Sequence, residues 1–270
     1  MSTRLRAIAK ETLDVLDAGQ YRAPSGALVP VASPAASGTV LHLPDADLPL
    51  PPAAVSPPAT VEVTGESTLD AARRLAADGP VAALVFASAK NPGGGFRTGA
   101  QAQEESVARA SALFPCLTAV PEFYAFHRAQ GDLLYSDRVI YSPRVPVFRD
   151  DKGRFLEAPH AVSMLTAAAP NRGAIMLNQP ASAPMIDTVL AARARRVLAV
   201  AAYHGERRLV LGAWGCGVFR NDPAAVAEAF ATALDAMPGR FDQVTFAVLD
   251  RGAAPIRAAF TTRLGGTARI

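Results

Sequence analysis

From residue 59 onward, short apolar runs alternate with amphipathic helical segments, and this alternation constrains the fold more than any other sequence feature. Residues 60–63 are predicted to form a strand, 68–77 a helix and 81–87 a second strand. The alternation predicts a sheet with helices on both faces. Two short strands predicted within 138–148 make the sheet mixed rather than wholly parallel. The same patterns predict helices over 106–113, 121–130, 186–204, 223–234 and Pro255–Leu264, and strands over 161–168, 208–211 and 243–249.

The first 58 residues lack this alternation. Residues 3–18 have helical spacing of apolar side chains, with Ser2 or Thr3 as a cap and Gly19 as a stop. Residues 43–58 include six prolines, a density that excludes a helix or a central strand. We therefore expect an extended surface connector, and we predict that residues 1–58 pack on a main domain formed by residues 59–270.

Composition excludes several classes of protein. The 270 residues include 27 Lys and Arg against 24 Asp and Glu, a net charge of +3, which argues against an electrostatic duplex binder. Cys116 and Cys216 form neither a disulfide framework nor a zinc site. The histidines have no ligand spacing, and they are His42, His127, His160 and His204. The N-terminus does not resemble a signal peptide, and no apolar run approaches the ~20 residues needed to cross a bilayer. We expect a cytoplasmic monomer without a membrane partner, metal ion or cofactor.

Two glycine-rich loops follow predicted buried strands. The first includes Gly93, Gly94 and Gly95, and the second runs over 212–219. Glycines let the backbone approach a ligand with free N–H groups, so both loops are typical of anion or phosphate cradles, although each is also compatible with a simple tight turn. Neither loop has the Walker pattern or the dinucleotide-binding GxGxxG pattern. We expect the loops to hold a diphosphate rather than to transfer a phosphoryl group.

An acidic pair, Glu104 and Glu105, follows Gln103 at the start of a predicted helix. Acidic residues in a first turn stabilise the helix dipole, which is one explanation of the pair. The other is that one carboxyl, partly buried beside the glycine loop, is a general acid for a glycosidic oxygen. Adjacent residues do not easily place carboxylates on opposite faces of a sugar, so a single Glu acting first as acid and then as base is favoured.

The combination of Asn91-Pro92-Gly93-Gly94-Gly95 with Gln103-Glu104-Glu105 resembles the signature of bacterial-type poly(ADP-ribose) glycohydrolases. Segments 8–13, 141–149 and 212–223 extend the resemblance along most of the chain. It implies a three-layer α/β/α macrodomain with a mixed sheet and an N-terminal helical extension. It also implies metal-independent hydrolysis of the ribose–ribose bonds of poly(ADP-ribose), mainly from chain ends, with release of ADP-ribose, and a place in the DNA damage response.

The resemblance also assigns residues. It implies that Glu105 is the catalytic acid and base and that Glu104 anchors the ribose on the leaving side. The expected substrate-binding residues are Asn91 at the terminal ribose, Gly93, Gly94, Gly95 and Gln103 at the catalytic loop, Gly215, Cys216, Gly217 and Val218 at the diphosphate, Phe219 beside the ribose, and Glu66 and Ser67 at the adenine. We expect Phe219 to limit access beyond the chain end.

Two alternatives remain open from the sequence. A macrodomain that binds ADP-ribose without cleaving it needs the two cradles but not an acid beside the ribose linkage. A hydrolase that removes single ADP-ribose units from proteins or nucleic acids would use the same pocket as a polymer hydrolase. In each case the expected ligand is ADP-ribose, its polymer or an ADP-ribosylated protein.

Overall fold

The computed structural model describes residues 2–31, 36–50, 59–250, 255–265 and 268–269. Their β-strands are β1 (Gln20–Arg22), β2 (Leu28–Pro30), β3 (Val40–His42), β4 (Thr60–Thr64), β5 (Ala82–Phe86), β6 (Val139–Arg149), β7 (Phe155–Ala167), β8 (Arg208–Leu211), β9 (Gln243–Ala247) and β10 (Ala268–Arg269). Their α-helices are α1 (Thr3–Ala18), α2 (Thr68–Ala76), α3 (Gln103–Ala110), α4 (Leu113–Thr118), α5 (Pro121–Gln130), α6 (Arg172–Asn178), α7 (Ile186–Tyr203), α8 (Pro223–Asp235) and α9 (Pro255–Leu264). Short 3₁₀ helices cover Phe96–Thr98 and Pro180–Met185.

Eight strands form one mixed sheet in the order β10-β4-β9-β8-β5-β7-β6-β3. Neighbours from β4 to β7 are parallel, whereas β10, β6 and β3 pair antiparallel with their neighbours. Strands β1 and β2 form a separate antiparallel pair. The carboxyl ends of the parallel strands therefore meet at one edge of the sheet, which is where sheets of this kind bind ligands.

The sheet separates two hydrophobic cores. In β5, Ala83 and Val85 face one core, whereas Ala82 and Leu84 face the other, as the two-residue period of a strand requires. Helices α2 to α5 pack in the first core and α7 to α9 in the second. The predicted three-layer α/β/α architecture with a mixed sheet is confirmed.

The N-terminal helix α1 packs beside the loop that follows β5. Ala9 is fully buried against Phe96 of that loop and Ala108 of α3, in a small third core. The Thr12 hydroxyl donates a hydrogen bond to the carbonyl oxygen of Arg109 at 2.6 Å, and both groups are buried. Helix α1 thus supports both the loop and the helix that follows it.

The prediction of two separate strands within 138–148 is wrong. The two short strands expected within 138–148 are a single strand, β6, because a β-bulge lets the strand continue past Pro143. The register against β7 shifts between Ser142 and Val145. At the shift Arg144 has φ 47°, and its N–H donates to the Ser163 hydroxyl at 3.2 Å.

Other boundaries differ less from the predictions. Helix α3 begins at Gln103, three residues before the predicted start, so both glutamates lie in its first turn. Strand β7 begins at Phe155 because it extends into a hairpin with β6, closed by a turn at 150–153. The sequence did not predict β1, β2, β3, β10, α4 or α6.

The Pro-rich stretch is described only in part, because residues 51–58 lie outside the described residues. Residues 43–50 form neither helix nor strand, as predicted. The guanidinium group of Arg196 donates to the carbonyl oxygens of Leu43 and Ala46, the latter at 3.0 Å, and so fixes this stretch against α7. Within the described part of the chain, no helix combines the length and the apolar character needed to cross a membrane.

Candidate active site

A cavity of about 780 Å³ lies at the carboxyl ends of the parallel strands. Its walls are the loops that follow β4, β5, β8 and β9, together with the start of α3. The sheet therefore brings together both glycine loops and the acidic pair, as expected for loops at the same edge of a parallel sheet.

The first glycine loop holds the acidic pair at close range. Gly94 has φ +57°, in the left-handed region that favours glycine. A Cβ atom on Gly94 would lie 2.4 Å from Oε1 of Glu105 and 3.2 Å from Oε2 of Glu104. The bare glycine backbone is therefore what lets both carboxyl groups approach the loop.

Glu105 is half-buried and lines the cavity. Its Oε1 accepts a hydrogen bond from the backbone N–H of Gly95 at 3.0 Å. This bond fixes the carboxyl group on the cavity wall while part of it remains accessible to a ligand. The position is suitable for proton transfer to a bound sugar.

Glu104 is in a different environment, with only 2% of its surface exposed. Its Oε2 accepts the backbone N–H of Ser88 at 2.6 Å, while among the described residues its buried Oε1 has no hydrogen-bond partner. Burial raises the pKa of the Glu104 carboxyl well above its usual range, and the charge of Glu105 raises it further. The hydrogen bond from the Ser88 N–H and the nearby backbone of Gly93 oppose that rise. Adjacent glutamates thus have one buried and one accessible carboxyl.

Gln103 uses its side chain to join α3 to the sheet. Its Oε1 accepts the N–H of Phe86 at 2.9 Å. Its Nε2 donates to the carbonyl oxygen of Leu84 at 2.8 Å and to the Thr68 hydroxyl at 3.1 Å. The residue lines the cavity, as expected for a substrate contact, but its amide is engaged with β5 and α2.

The second glycine loop is held by buried polar groups beneath it. Gly215 has φ +73°, and a Cβ there would lie 2.4 Å from Nδ2 of Asn221. Asn221 in turn donates from Nδ2 to the carbonyl oxygen of Pro170 at 3.0 Å. Trp214 is fully buried and donates its indole N–H to the carbonyl oxygen of Ala167 at 3.1 Å. On Gly217, by contrast, a Cβ would meet no atom of the described residues within 4 Å, so this glycine faces open space.

The other residues of the second loop also line the cavity. The thiol of Cys216 has a pKa raised to about 12, first by burial and then by the charge of Asp222. A thiol with that pKa stays protonated at neutral pH and is a poor nucleophile. Val218 is 79% exposed at the rim. Phe219 is half-buried, and its ring lies 6.1 Å from that of Tyr135.

The structure separates the two residues expected at the adenine. Ser67 lines the cavity and caps α2, where its Oγ accepts the N–H of Asp70 at 3.0 Å. Glu66 is not part of the cavity lining, and both of its carboxylate oxygens accept hydrogen bonds from Arg74, at 2.9 and 2.7 Å. Of the remaining candidates, Asn91, Gly94 and Gly95 line the cavity, whereas Gly93 is buried beneath it.

Tyr124 of α5, which the sequence did not single out, is buried outside the cavity lining. Its hydroxyl has no hydrogen-bond partner among the residues that the structure describes, and burial together with the charge of Glu104 raises the pKa of the phenol well above its usual range. The only sequence signal was the apolar face of the helix, which predicts core packing rather than a site. The cavity lining also includes Phe86, Leu69 and Ile256, which the sequence did not single out.

The histidines lie outside this lining. His42 and His204 contact each other through their Nε2 atoms at 2.8 Å, and His127 pairs with the hydroxyl of Ser136. Within the described ranges of the chain, no three or more His, Cys, Asp and Glu side chains form a group that could hold a metal ion.

Comparison with known proteins agrees with this architecture. The family model described as microbial-type PARG, catalytic domain, matches residues 9–150. The structure of poly(ADP-ribose) glycohydrolase (PARG) from Thermomonospora curvata is 52% identical, covers 97% of this chain and 100% of that chain, and has a TM-score of 0.91. The same protein bound to the inhibitor ADP-HPD has 52% identity, the same coverage and a TM-score of 0.88.

A second solved relative is poly(ADP-ribose) glycohydrolase from Deinococcus radiodurans in complex with ADP-ribose. It is 46% identical, covers 85% of this chain and 95% of that chain, and has a TM-score of 0.78. No curated protein matches the sequence. The family model spans more than half of the chain and the identities are high over nearly all of it, so the chain belongs to the microbial-type poly(ADP-ribose) glycohydrolase family.

Proposed function

We propose that this chain hydrolyses the ribose–ribose bonds of poly(ADP-ribose), mainly from chain ends, and releases ADP-ribose. Family membership and the relatives solved with ADP-ribose and ADP-HPD support this activity. The observation within the molecule that carries it is the Glu105 carboxyl, held by the Gly95 N–H on the wall of a cavity between two glycine loops. A protein that only binds ADP-ribose needs no carboxyl group in that position.

In the proposed reaction Glu105 acts twice. Its carboxyl group donates a proton to the leaving ribose oxygen as the bond to the anomeric carbon breaks. The resulting carboxylate then accepts a proton from the water that attacks the same carbon, which regenerates the acid. Such general acid–base catalysis typically contributes ~10²–10⁴ in rate. The near contact of both carboxyls with one side of the loop favours a single catalytic Glu over a pair on opposite faces of the sugar.

Glu104 is proposed to bind the ribose on the leaving side. Its buried Oε1 has no partner among the described residues, so a ribose hydroxyl would satisfy it. Burial raises the pKa of the Glu104 carboxyl above its usual range, whereas the carboxyl of Glu105 is partly accessible at the cavity. The residue thus contributes a hydrogen bond rather than proton transfer.

The second loop is proposed to hold the diphosphate. Gly215, Cys216, Gly217 and Val218 line the cavity, and the open space around Gly217 leaves room for a ligand. Phe219, supported by Tyr135, is proposed to stand beside the terminal ribose and to limit threading of a longer polymer. Early release of long oligomers, resolved over time, would contradict this placement.

Removal of single ADP-ribose units from proteins or nucleic acids remains an alternative for the same pocket. In both reactions the ADP-ribose unit would bind in the same way, and only the leaving group would differ. Side-by-side turnover of polymer, mono-ADP-ribosylated protein and ADP-ribosylated nucleic acid distinguishes them. We expect polymer to be the preferred substrate.

The variants Glu105→Gln and Glu104→Gln test the proposed roles. Glu105→Gln should lower polymer hydrolysis by at least ~10² and leave ADP-ribose affinity nearly unchanged, because the amide cannot donate and recover a proton. Glu104→Gln should weaken both binding and turnover. Glu157→Gln, on the exposed arm of β7, is the matched control. Turnover by Glu105→Gln close to that of the wild type would refute the catalytic assignment.

We also propose that residues 1–58 are an extension packed on a macrodomain formed by 59–270. The contacts of Ala9 and Thr12 with the first glycine loop and α3 support the packing of the extension on that domain. The two cysteines are free thiols, which fits the reducing cytoplasm that we propose as the location of the protein.

A further inference from the structure

Two cations, Lys90 and Arg128, lie at the loop that follows β5, outside the cavity lining itself. Lys90 immediately precedes Asn91, a lining residue, in the loop after β5. Arg128, on α5, donates from Nη1 to the carbonyl oxygen of Lys90 at 2.6 Å. The guanidinium group is thereby fixed against the same loop that holds the acidic pair.

Helix α5 lies beside the loop that follows β5. Tyr124 is close enough to Glu104 for that carboxylate to influence its pKa. One turn later, the ring of His127 lies 5.6 Å from the Tyr135 ring, which contacts Phe219. Arg128 follows His127 on the exposed side of the helix. The helix thus holds Arg128 against the loop whose Ser88 N–H donates to Glu104.

The charges of Lys90 and Arg128 are not neutralised by a neighbouring acid. Several other arginines have a carboxylate within 4.0 Å, as in Arg74 with Glu66, Arg193 with Asp137 and Arg207 with Asp242. Among the described residues, no carboxylate lies within that distance of Lys90 or Arg128. Both charges belong to the same stretch of surface, because Arg128 bonds to the Lys90 backbone, and an anion that reaches this surface would be attracted by both.

The leaving group of the polymer carries a negatively charged diphosphate of its own. The leaving group is a ribose of the next ADP-ribose unit, and that ribose bears its own diphosphate at the 5′ carbon. Glu104 accepts the N–H of Ser88, two residues before Lys90, so a ribose held at Glu104 would bring its diphosphate within reach of the loop that includes Lys90. A single ADP-ribose unit on a neutral leaving group has no such anion.

We propose that Lys90 and Arg128 form a leaving-side subsite that binds the diphosphate of the next unit of the polymer. The subsite rests on the proposed glycohydrolase function and adds to it a preference for polymer over substrates with a neutral leaving group. Lys90 contributes a flexible ammonium charge, and Arg128 contributes a guanidinium whose other N–H groups can contact phosphate oxygens.

The test compares two substrates for Lys90→Ala, Arg128→Ala and Lys90→Glu. One substrate is poly(ADP-ribose), and the other is ADP-ribose joined at its distal anomeric carbon to p-nitrophenol, which lacks the second diphosphate. Lys90→Ala retains the carbonyl oxygen that accepts from Arg128, so it removes the charge without removing the hydrogen bond. Arg195→Ala, an exposed arginine of α7, is the matched control for removal of a positive charge.

For polymer, we expect kcat/KM to fall about threefold to tenfold in each alanine variant and further in Lys90→Glu. The slope of log kcat/KM against log salt should become shallower by about 0.7 for each phosphate that the variant no longer neutralises. Hydrolysis of the nitrophenyl substrate should stay within about twofold of the wild type.

Two outcomes overturn the subsite. If kcat/KM of Arg128→Ala decreases equally on both substrates, Arg128 only stabilises the loop. If Lys90→Glu hydrolyses the polymer as fast as the wild type, no phosphate binds at Lys90. These results differ from failure of the proposed function, in which the wild type itself would not cleave the polymer.

Discussion

The distance between Gly94 and the acidic pair makes Gly94→Ala a direct test of the catalytic geometry. A Cβ at this position would lie 2.4 Å from Oε1 of Glu105, whereas real Cβ atoms essentially never approach another atom closer than 3.0 Å. The carboxyl oxygen must therefore retreat by at least about 0.6 Å, or the loop must move by a similar distance. Either movement also strains the hydrogen bond from the Gly95 N–H.

The expected effect follows from that displacement. A misplacement of about 1 Å at a reacting group can cost ~10² in rate, so we expect kcat on polymer to fall about 10- to 100-fold. An alanine at φ +57° also costs about 1–2 kcal/mol in stability, because the left-handed region is unfavourable for residues with a Cβ. ADP-ribose affinity should change far less, since the second glycine loop, which we propose holds the diphosphate, is not altered.

The assay measures kcat on polymer, ADP-ribose affinity by calorimetry and the unfolding free energy in urea. Gly205→Ala is the matched control, because Gly205 also has a left-handed backbone (φ +73°), lies outside the cavity lining, and its Cβ would meet no atom of the described chain within 4 Å. Wild-type kcat in Gly94→Ala, with a normal unfolding curve, would refute the view that Gly94 positions Glu105.

Three further predictions concern binding and stability. Gly217→Val should leave the melting curve unchanged and weaken ADP-ribose binding at least tenfold in calorimetry, because the added side chain enters the ligand's space; unchanged affinity would remove this loop from the site. Thr12→Val should lower the unfolding free energy by about 1–3 kcal/mol in urea titration, since the buried Arg109 carbonyl loses its donor. His204, with a pKa lowered to about 4 by burial and by His42, should make stability fall as pH decreases from about 6.5 to 4, because the unfolded chain binds the proton more tightly. His204→Gln should therefore flatten the pH dependence of unfolding in that window, and an unchanged slope would contradict the assignment.

The sequence predicted the architecture because strand and helix periods are local properties. The apolar run at 81–87 and the helices at 121–130 and 186–204 were found at nearly their observed positions. The three-residue strand β3 shows too little alternation to be predicted, and it exists because it pairs with β6. The bulge at Arg144 also depends on a distant group, the Ser163 hydroxyl.

The motif placed the glutamates and glycines at one edge of the sheet, but it did not reveal what each side chain contacts. The Gln103 amide is engaged by Leu84 and Phe86, residues 19 and 17 positions away, which no spacing rule indicates. The Glu66 carboxylate is engaged by Arg74 for a similar reason. Glu104 is buried whereas Glu105 is partly accessible. This difference depends on how the layers of the fold pack together rather than on the local sequence.

The packing of α1 against the first glycine loop has a consequence for local unfolding of the molecule. Because Ala9 and Phe96 share a core, and because the Ser2 N–H bonds to the Gly99 carbonyl at 3.2 Å, the helix cannot detach without exposing the loop. The two segments should therefore unfold as one cooperative unit and share a single amide-exchange protection factor. A chain cut at residue 59 would keep most of the large sheet and would lose this unit. Its first glycine loop should then exchange amide hydrogens at the rate of an exposed turn.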